Sequence, residues 1–138
     1  MEDIIGKSKS VLLMKKVFVS NMYFERKDEV NFEKADTAIE RSIHRLDDGS
    51  YKVFLTIRLG NKQEEMGLGV TVCGIFELQD ESDESIRKAV ISKNTLAILF
   101  PYLRSQITLL TAQPDIKPIV LPAININSLL DNIDEKSE

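Results

Sequence analysis

One cysteine and one histidine are all that this 138-residue chain offers to thiol, imidazole or zinc chemistry. Cys73 has no second cysteine to pair with, so no disulfide forms within the chain, and a cytoplasmic setting fits better than a secreted one. No Cys/His group has zinc-ligand spacing. His44 stands between Arg41 and Arg45 without a nucleophile motif, so it reads as a surface residue rather than a catalytic base. Cys73, beside apolar neighbours, reads as a small buried hydrophobe. A phosphate-cradling loop is missing too, because Gly67-Leu68-Gly69 lies in strand-like sequence and opens no helix. The acidic run over 77–84 lacks the spacing and glycine of a calcium loop. No apolar run approaches the ~20 residues of a spanning helix. Lys15 and Lys16 cut short the run Val11-Leu12-Leu13-Met14, well before a signal peptide's core of about 7–15 residues. Basic excess is absent: the net charge is −4 and the pI about 5.1, which argues against nucleic acid. The expectation is a cytoplasmic non-enzyme with no cofactor, no metal, no nucleic-acid partner and no stable membrane insertion.

What is present is apolar pattern. Hydrophobic residues make up 43% and charged residues 29%, enough for one ordinary domain over residues 1–138. Its core is expected over about 11–133, with flexible ends: residues 1–10 loosely ordered and the tail 131–138 frayed. Val11 to Arg26 reads as a strand with apolar residues on both parities: Phe18, Met22 and Phe24 on one, Val17, Val19 and Tyr23 on the other. Residues 27–34 read as a charged loop. Ala35 to Leu46 is ambiguous. Ala35, Ile39, Ile43 and Leu46 have helical spacing, which locally favours a helix, yet Ile39 and Ile43 also share a strand parity. Asp47-Asp48-Gly49-Ser50 predicts a turn. Tyr51 to Leu59 carries the cleanest alternation in the chain. Gly60-Asn61-Lys62 predicts the next turn and 64–78 a long strand, whose Gly67, Gly69 and Gly74 mark bulges or close backbone approach. The predicted architecture is α+β, an antiparallel meander followed by helices.

The run Glu77–Glu84 reads as a solvated connection and Ser85–Lys93 as a short helical turn. From Asn94 to Ala112, Leu96, Leu99, Phe100, Leu103, Ile107 and Leu110 form one helical stripe around Pro101. Pro114, Pro118 and Pro122 punctuate an extended segment. Asn125 or Asn127 then caps a short helix that buries Leu129, Leu130 and Ile133. Apolar residues on both strand parities plus two helices exceed what one small sheet hides, which points to oligomerisation or polypeptide binding.

Five segments combine into a recognisable pattern: Leu99-Phe100-Pro101-Tyr102-Leu103-Arg104, Leu121-Pro122-Ala123-Ile124-Asn125 followed by Leu129, Gly74-Ile75-Phe76, Met22-Tyr23-Phe24-Glu25 and Tyr51-Lys52-Val53. The pattern resembles the SecB family of protein-export chaperones, whose central helix carries Leu-Phe-Pro-Tyr-Ala-Arg and whose last helix follows Leu-Ala-Pro-Val-Asn. The resemblance covers residues 17–130. It implies a four-stranded antiparallel sheet, a long helix and a short C-terminal helix, with 35–46 as the second strand. It places Phe-Pro-Tyr early in the long helix, which would start near Phe100 after a separate turn over 94–99.

The resemblance further implies an ATP-independent holdase for unfolded polypeptides, assembled as a homo-tetramer (a dimer of dimers). The client groove would be lined by Ile39, Ile43, Ile86, Val90, Ile91, Leu129, Leu130 and Ile133. Val17, Val19, Phe100, Tyr102, Leu103 and Ile107 would lie at the oligomer interface. An acidic sheet patch docks the translocase motor ATPase in the family. Glu25 matches one of its positions, while Asn21 and Gly69 stand where acids are expected. That departure leaves a second option open: a SecB-like chaperone or adaptor dedicated to one partner, such as an antitoxin or a phage or defence protein, without motor binding.

Overall fold

Strict alternation in Tyr51–Gly60, strand β3, sets the frame. Tyr51, Val53, Leu55, Ile57 and Leu59 are all buried, because alternate side chains of a strand share one face and this face lies under a helix. β3 pairs antiparallel with Asp36–Arg45 (β2) on one side and Met66–Gln79 (β4) on the other. β4 in turn pairs antiparallel with Val11–Arg26 (β1). A two-residue strand, Asp134–Glu135 (β5), runs parallel to β2, giving the order β1-β4-β3-β2-β5. The computed structural model describes residues 11–27, 36–60 and 66–135. Residues 1–10, most of the predicted loop 27–34 and the turn beyond Gly60 lie outside the described residues. β2, β3 and β4 form the predicted meander, and β1 joins it at the far side, against β4 rather than β2.

The mixed parity of β1 has a local cause. Its register against β4 shifts between Met14 and Lys16 and again between Val19 and Asn21. A bulge adds one residue and reverses which parity faces inward. Val17 and Val19 before the second shift, and Met22 and Phe24 after it, therefore oppose the inward positions Gly74, Val72, Val70 and Leu68. Phe18 and Tyr23 point the other way, opposite Cys73 and Gly69.

The helix favoured locally for 35–46 is not formed. Asp36–Arg45 is a strand, paired with β3 along its whole length. A helix here would leave the backbone groups of β3 without partners on that side, and pairing outweighs a few tenths of a kcal/mol per residue of propensity. The Asp47–Ser50 turn forms as predicted: Gly49 takes φ 88°, and Ser50 N donates to Asp48 Oδ1 at 2.9 Å.

A single helix, α1, spans Glu84–Leu110. It absorbs the predicted turns over 85–93 and 94–99, so the start near Phe100 is corrected to Glu84. The reason lies in the acidic run: Asp83 Oδ1 accepts from Ser85 N at 2.9 Å and Ile86 N at 3.2 Å, which caps the helix. Pro101 sits past the middle of α1. Both Pro101 and Ala97 are exposed, so the carbonyl that the missing N–H leaves free faces water rather than core. Leu96, Leu99, Phe100, Leu103 and Ile107 are buried against β3 and β4. Close approach is possible because β4 has no side chain at Gly74, where a Cβ would lie 2.9 Å from Leu99 Cδ2.

Beyond α1 the chain runs back along it. Thr108 Oγ1 donates to Ile119 O, Ile119 N donates to Thr111 Oγ1 (both 2.8 Å), and Arg104 Nε donates to Leu121 O at 2.9 Å. A short helix, α2, covers Ile126–Asn132, with Asn125 as its cap. The expected fraying of the tail is corrected as far as Glu135, since β5 pairs with β2. No helix among the described residues is long and apolar enough to cross a membrane.

Candidate polypeptide-binding groove

β2 turns Ile39, Arg41 and Ile43 inward, opposite Ile57, Leu55 and Val53 of β3. The first half of α1 faces it. Between them lies a hollow of about 560 Å³ whose lining includes Ile43, Tyr51, Ile91, Arg41 and Glu135. Tyr51 and Ile91 of its lining belong to a buried apolar cluster with Leu78, against which Ile43 and Val90 pack. Tyr51 is fixed from two sides: Arg87 Nε donates to its hydroxyl at 3.2 Å, and Arg45 lies over its ring at 5.0 Å.

The residues expected in a client groove are divided by the fold. Ile43 and Ile91 line the hollow, and Val90 packs behind it. Ile39, Leu130 and Ile133 are half-buried against the main core, while Leu129 is part of that core. Ile86 is 45% exposed and lies outside the hollow's lining.

Arg41 was not singled out from sequence, and it dominates the polar side of the site. It is 3% exposed. Nε donates to Glu135 Oε2 at 3.2 Å and Nη2 to Ser92 Oγ at 3.1 Å; Nη2 also meets Glu135 Oε1, and Nη1 donates to Ser92 O. A buried guanidinium needs such partners, because an unpaired charge in apolar surroundings is strongly unfavourable. The available signal was an arginine between two isoleucines of one strand parity, which forces a charge inward.

The outer face of the sheet carries different chemistry. Glu25, the position matched to motor docking, is exposed beside a second hollow of about 570 Å³ lined in part by Tyr23 and Arg58. Tyr23 lies over Gly69, where a Cβ would come within 2.4 Å of the ring. Lys16 and Lys52 stand over the rings of Phe18 and Phe54 at 5.5 and 5.4 Å. They flank Cys73, whose thiol is pushed up by burial against the weaker downward pull of these two lysines. His44 is half-buried, 3.2 Å from Ser42 Oγ and edge-on to Phe54.

The residues expected at an oligomer interface separate as well. Phe100, Leu103 and Ile107 are buried within the chain's own core. Val17 is half-buried, whereas Val19 and Tyr102 are exposed. Among the described residues no group of three or more His, Cys, Asp or Glu could hold a metal ion.

The sequence profile of a family described as preprotein translocase subunit SecB matches residues 6–136. The chain belongs to the SecB family. The protein-export protein SecB of Orientia tsutsugamushi is 26% identical over 137 residues, covering 91% of this chain and 83% of that protein. An uncharacterized protein of Methanocaldococcus jannaschii is 30% identical over 126 residues, covering 88% and 79%. The solved structure of a SecB-like chaperone from Mycobacterium tuberculosis, in complex with a peptide of the HigA1 antitoxin, matches with a TM-score of 0.65 at 15% identity. It covers 82% of this chain and 90% of that one, so the two share the SecB-like fold.

Proposed function

We propose that this SecB-family protein is an ATP-independent holdase that keeps polypeptide clients unfolded by covering their apolar segments. The observation that carries this is the apolar hollow beside β2, a strand whose free edge is occupied only at Glu40 and Arg41 among the described residues. An extended client gains main-chain hydrogen bonds at such an edge and side-chain contacts in the hollow. No covalent step and no cofactor is needed. The test is suppression of aggregation of a thermally unfolding protein at stoichiometric ratio. Full protection is expected, and its absence at every ratio overturns the reading. Ile39→Asp and Ile43→Asp should weaken protection several-fold with oligomeric state unchanged; Leu129 is unsuitable for this test because it is core.

We propose further that the chain acts as one cytoplasmic SecB-like domain and assembles as a tetramer through surfaces that its own helix leaves open. Val19 and Met22 face inward on β1 yet are 37% and 43% exposed, since α1 lies over β3 and β4. Tyr102 and Leu109 stand on the outward side of α1. Light scattering at monomer mass would overturn this.

A second reading, a chaperone dedicated to one partner without motor docking, is favoured by the outer face. Tyr23 occupies the space that an acid at Gly69 would need, and the same face carries Lys16 and Lys52 on either side of β4. The antitoxin peptide in the mycobacterial complex gives such a partner a precedent. Binding to a translocase motor ATPase that is lost in Glu25→Ala would favour export, and no binding would favour the dedicated role.

A further inference from the structure

We propose that β5 holds the place of a client strand, and that Arg41 reads a carboxylate in the segment that replaces it. The inference rests on the groove assigned above. β5 pairs with β2 at only two positions, Glu40 with Asp134 and Arg41 with Glu135. Both β5 residues are exposed, and the strand's apolar support is the half-buried Ile133 just before it. The Glu135 carboxylate of β5 meets the side edge of the Arg41 guanidinium through Nε and Nη2. That two-point geometry is what a guanidinium offers to a carboxylate and not to an amide or hydroxyl.

With β5 in place Arg41 is 3% exposed, and Ser92 of α1 holds its other side and keeps it turned inward. Ile39 and Ile43 flank it on the same face of β2. When β5 leaves, a buried cation remains that a purely apolar client would strand without its partner. A client bringing Asp or Glu to the same place restores the pair, and apolar residues two positions to either side of that acid can reach Ile39 and Ile43, as Ile133, two positions before Glu135, stands level with Ile39. The ligand class is therefore an extended segment with one carboxylate between apolar residues. A wholly apolar strand fits less well.

Fluorescence anisotropy with labelled ten-residue apolar peptides, carrying a central Glu or a central Gln, tests this on the full chain and on Glu135→Gln. The Glu peptide should bind Glu135→Gln about tenfold or more tightly than the unaltered chain, and about tenfold more tightly than the Gln peptide does, as a charge-assisted pair predicts. Arg41→Gln combined with Glu135→Gln removes both charges, strands neither, and should erase the Glu preference. Equal binding of both peptides to Glu135→Gln overturns carboxylate reading while leaving the groove intact. Glu-peptide affinity unchanged by Glu135→Gln overturns the place-holder role. Failure of every peptide to bind any variant overturns the groove and this inference together.

Discussion

Replacing Gly74 by alanine tests how α1 is seated on the sheet. The added methyl would lie 2.5 Å from Phe76 Cε2 and 2.9 Å from Leu99 Cδ2. Carbon atoms in contact prefer about 3.5–4.0 Å, so the two overlaps are at least about 1 Å and 0.6 Å. Neither neighbour has room to move, because Phe76 and Leu99 are fully buried. Overpacking of this kind costs about 1–3 kcal/mol. The stiffer unfolded chain of an alanine variant returns about 0.4–1 kcal/mol. A net loss of roughly 1–2 kcal/mol remains, and with a urea slope of about 2 kcal/mol/M the midpoint falls by roughly 0.5–1 M. Circular dichroism at fixed protein concentration measures it, the concentration being held because assembly would couple to stability. Leu99→Val, which removes the offending Cδ2, should make the double variant less damaged than the sum of the two single changes by about 0.5–1 kcal/mol. An unchanged midpoint in Gly74→Ala, or strict additivity in the cycle, would refute close packing as the reason for the glycine.

Leu129→Ala should cost about 2–5 kcal/mol in urea denaturation, since Leu129 is the one fully buried residue of α2, whereas the exposed Ile86→Ala should stay within about 0.5 kcal/mol. Asp83 accepts hydrogen bonds from the Ser85 hydroxyl and the Ile86 and Ser85 amides, which hold its carboxyl below the ordinary aspartate value of 3.8. Its folded pKa is thus below its unfolded one, so the stability it adds is fully present above about pH 3.8 and is lost as pH falls through the lower folded value. Amide exchange at Ser85 and Ile86 should accelerate over that acidic window, and Asp83→Asn should flatten the response. Burial keeps the Cys73 thiol protonated and covered, so a thiol reagent at pH 8 should label it only on unfolding; prompt labelling of the native protein would contradict this.

Alternation made β3 legible, because a strand under a helix must place every second side chain in the core, and Tyr51 to Leu59 does so without exception. β2 was not legible locally. Ile39 and Ile43 are four residues apart, which satisfies both a helical stripe and a strand parity, and only the long-range pairing with β3 decides between them. The bulge in β1 is silent in composition, since the inserted Ser20 looks like any other residue and reveals itself only as a change of parity from Val19 to Met22. The start of α1 was hidden differently: its cap belongs to a run of carboxylates that also describes a solvated loop. As for the site, its apolar lining at Ile43 and Ile91 was readable by resemblance, but Arg41 was not, because its partner Glu135 lies 94 residues away in sequence.

The stripe of α1 shows why an apolar surplus does not by itself say where it is used. Leu99, Phe100, Leu103 and Ile107 have the spacing of a helix that serves its own sheet and a neighbour's at once, yet the fold spends all four within the chain. Helical periodicity reports the width of an apolar stripe and not how many surfaces share it. The surplus reappears where α1 does not reach: at Val19 and Met22 on β1, and at Tyr102 and Leu109 on the side of α1 turned away from the sheet. These two areas lie on different elements, so the proposed assembly can bury one without disturbing the other. Leu109→Asp and Met22→Asp should therefore shift oligomer size by separate steps, while each leaves the unfolding free energy of the chain's own core, measured in urea once assembly is abolished, unchanged to within about 0.5 kcal/mol.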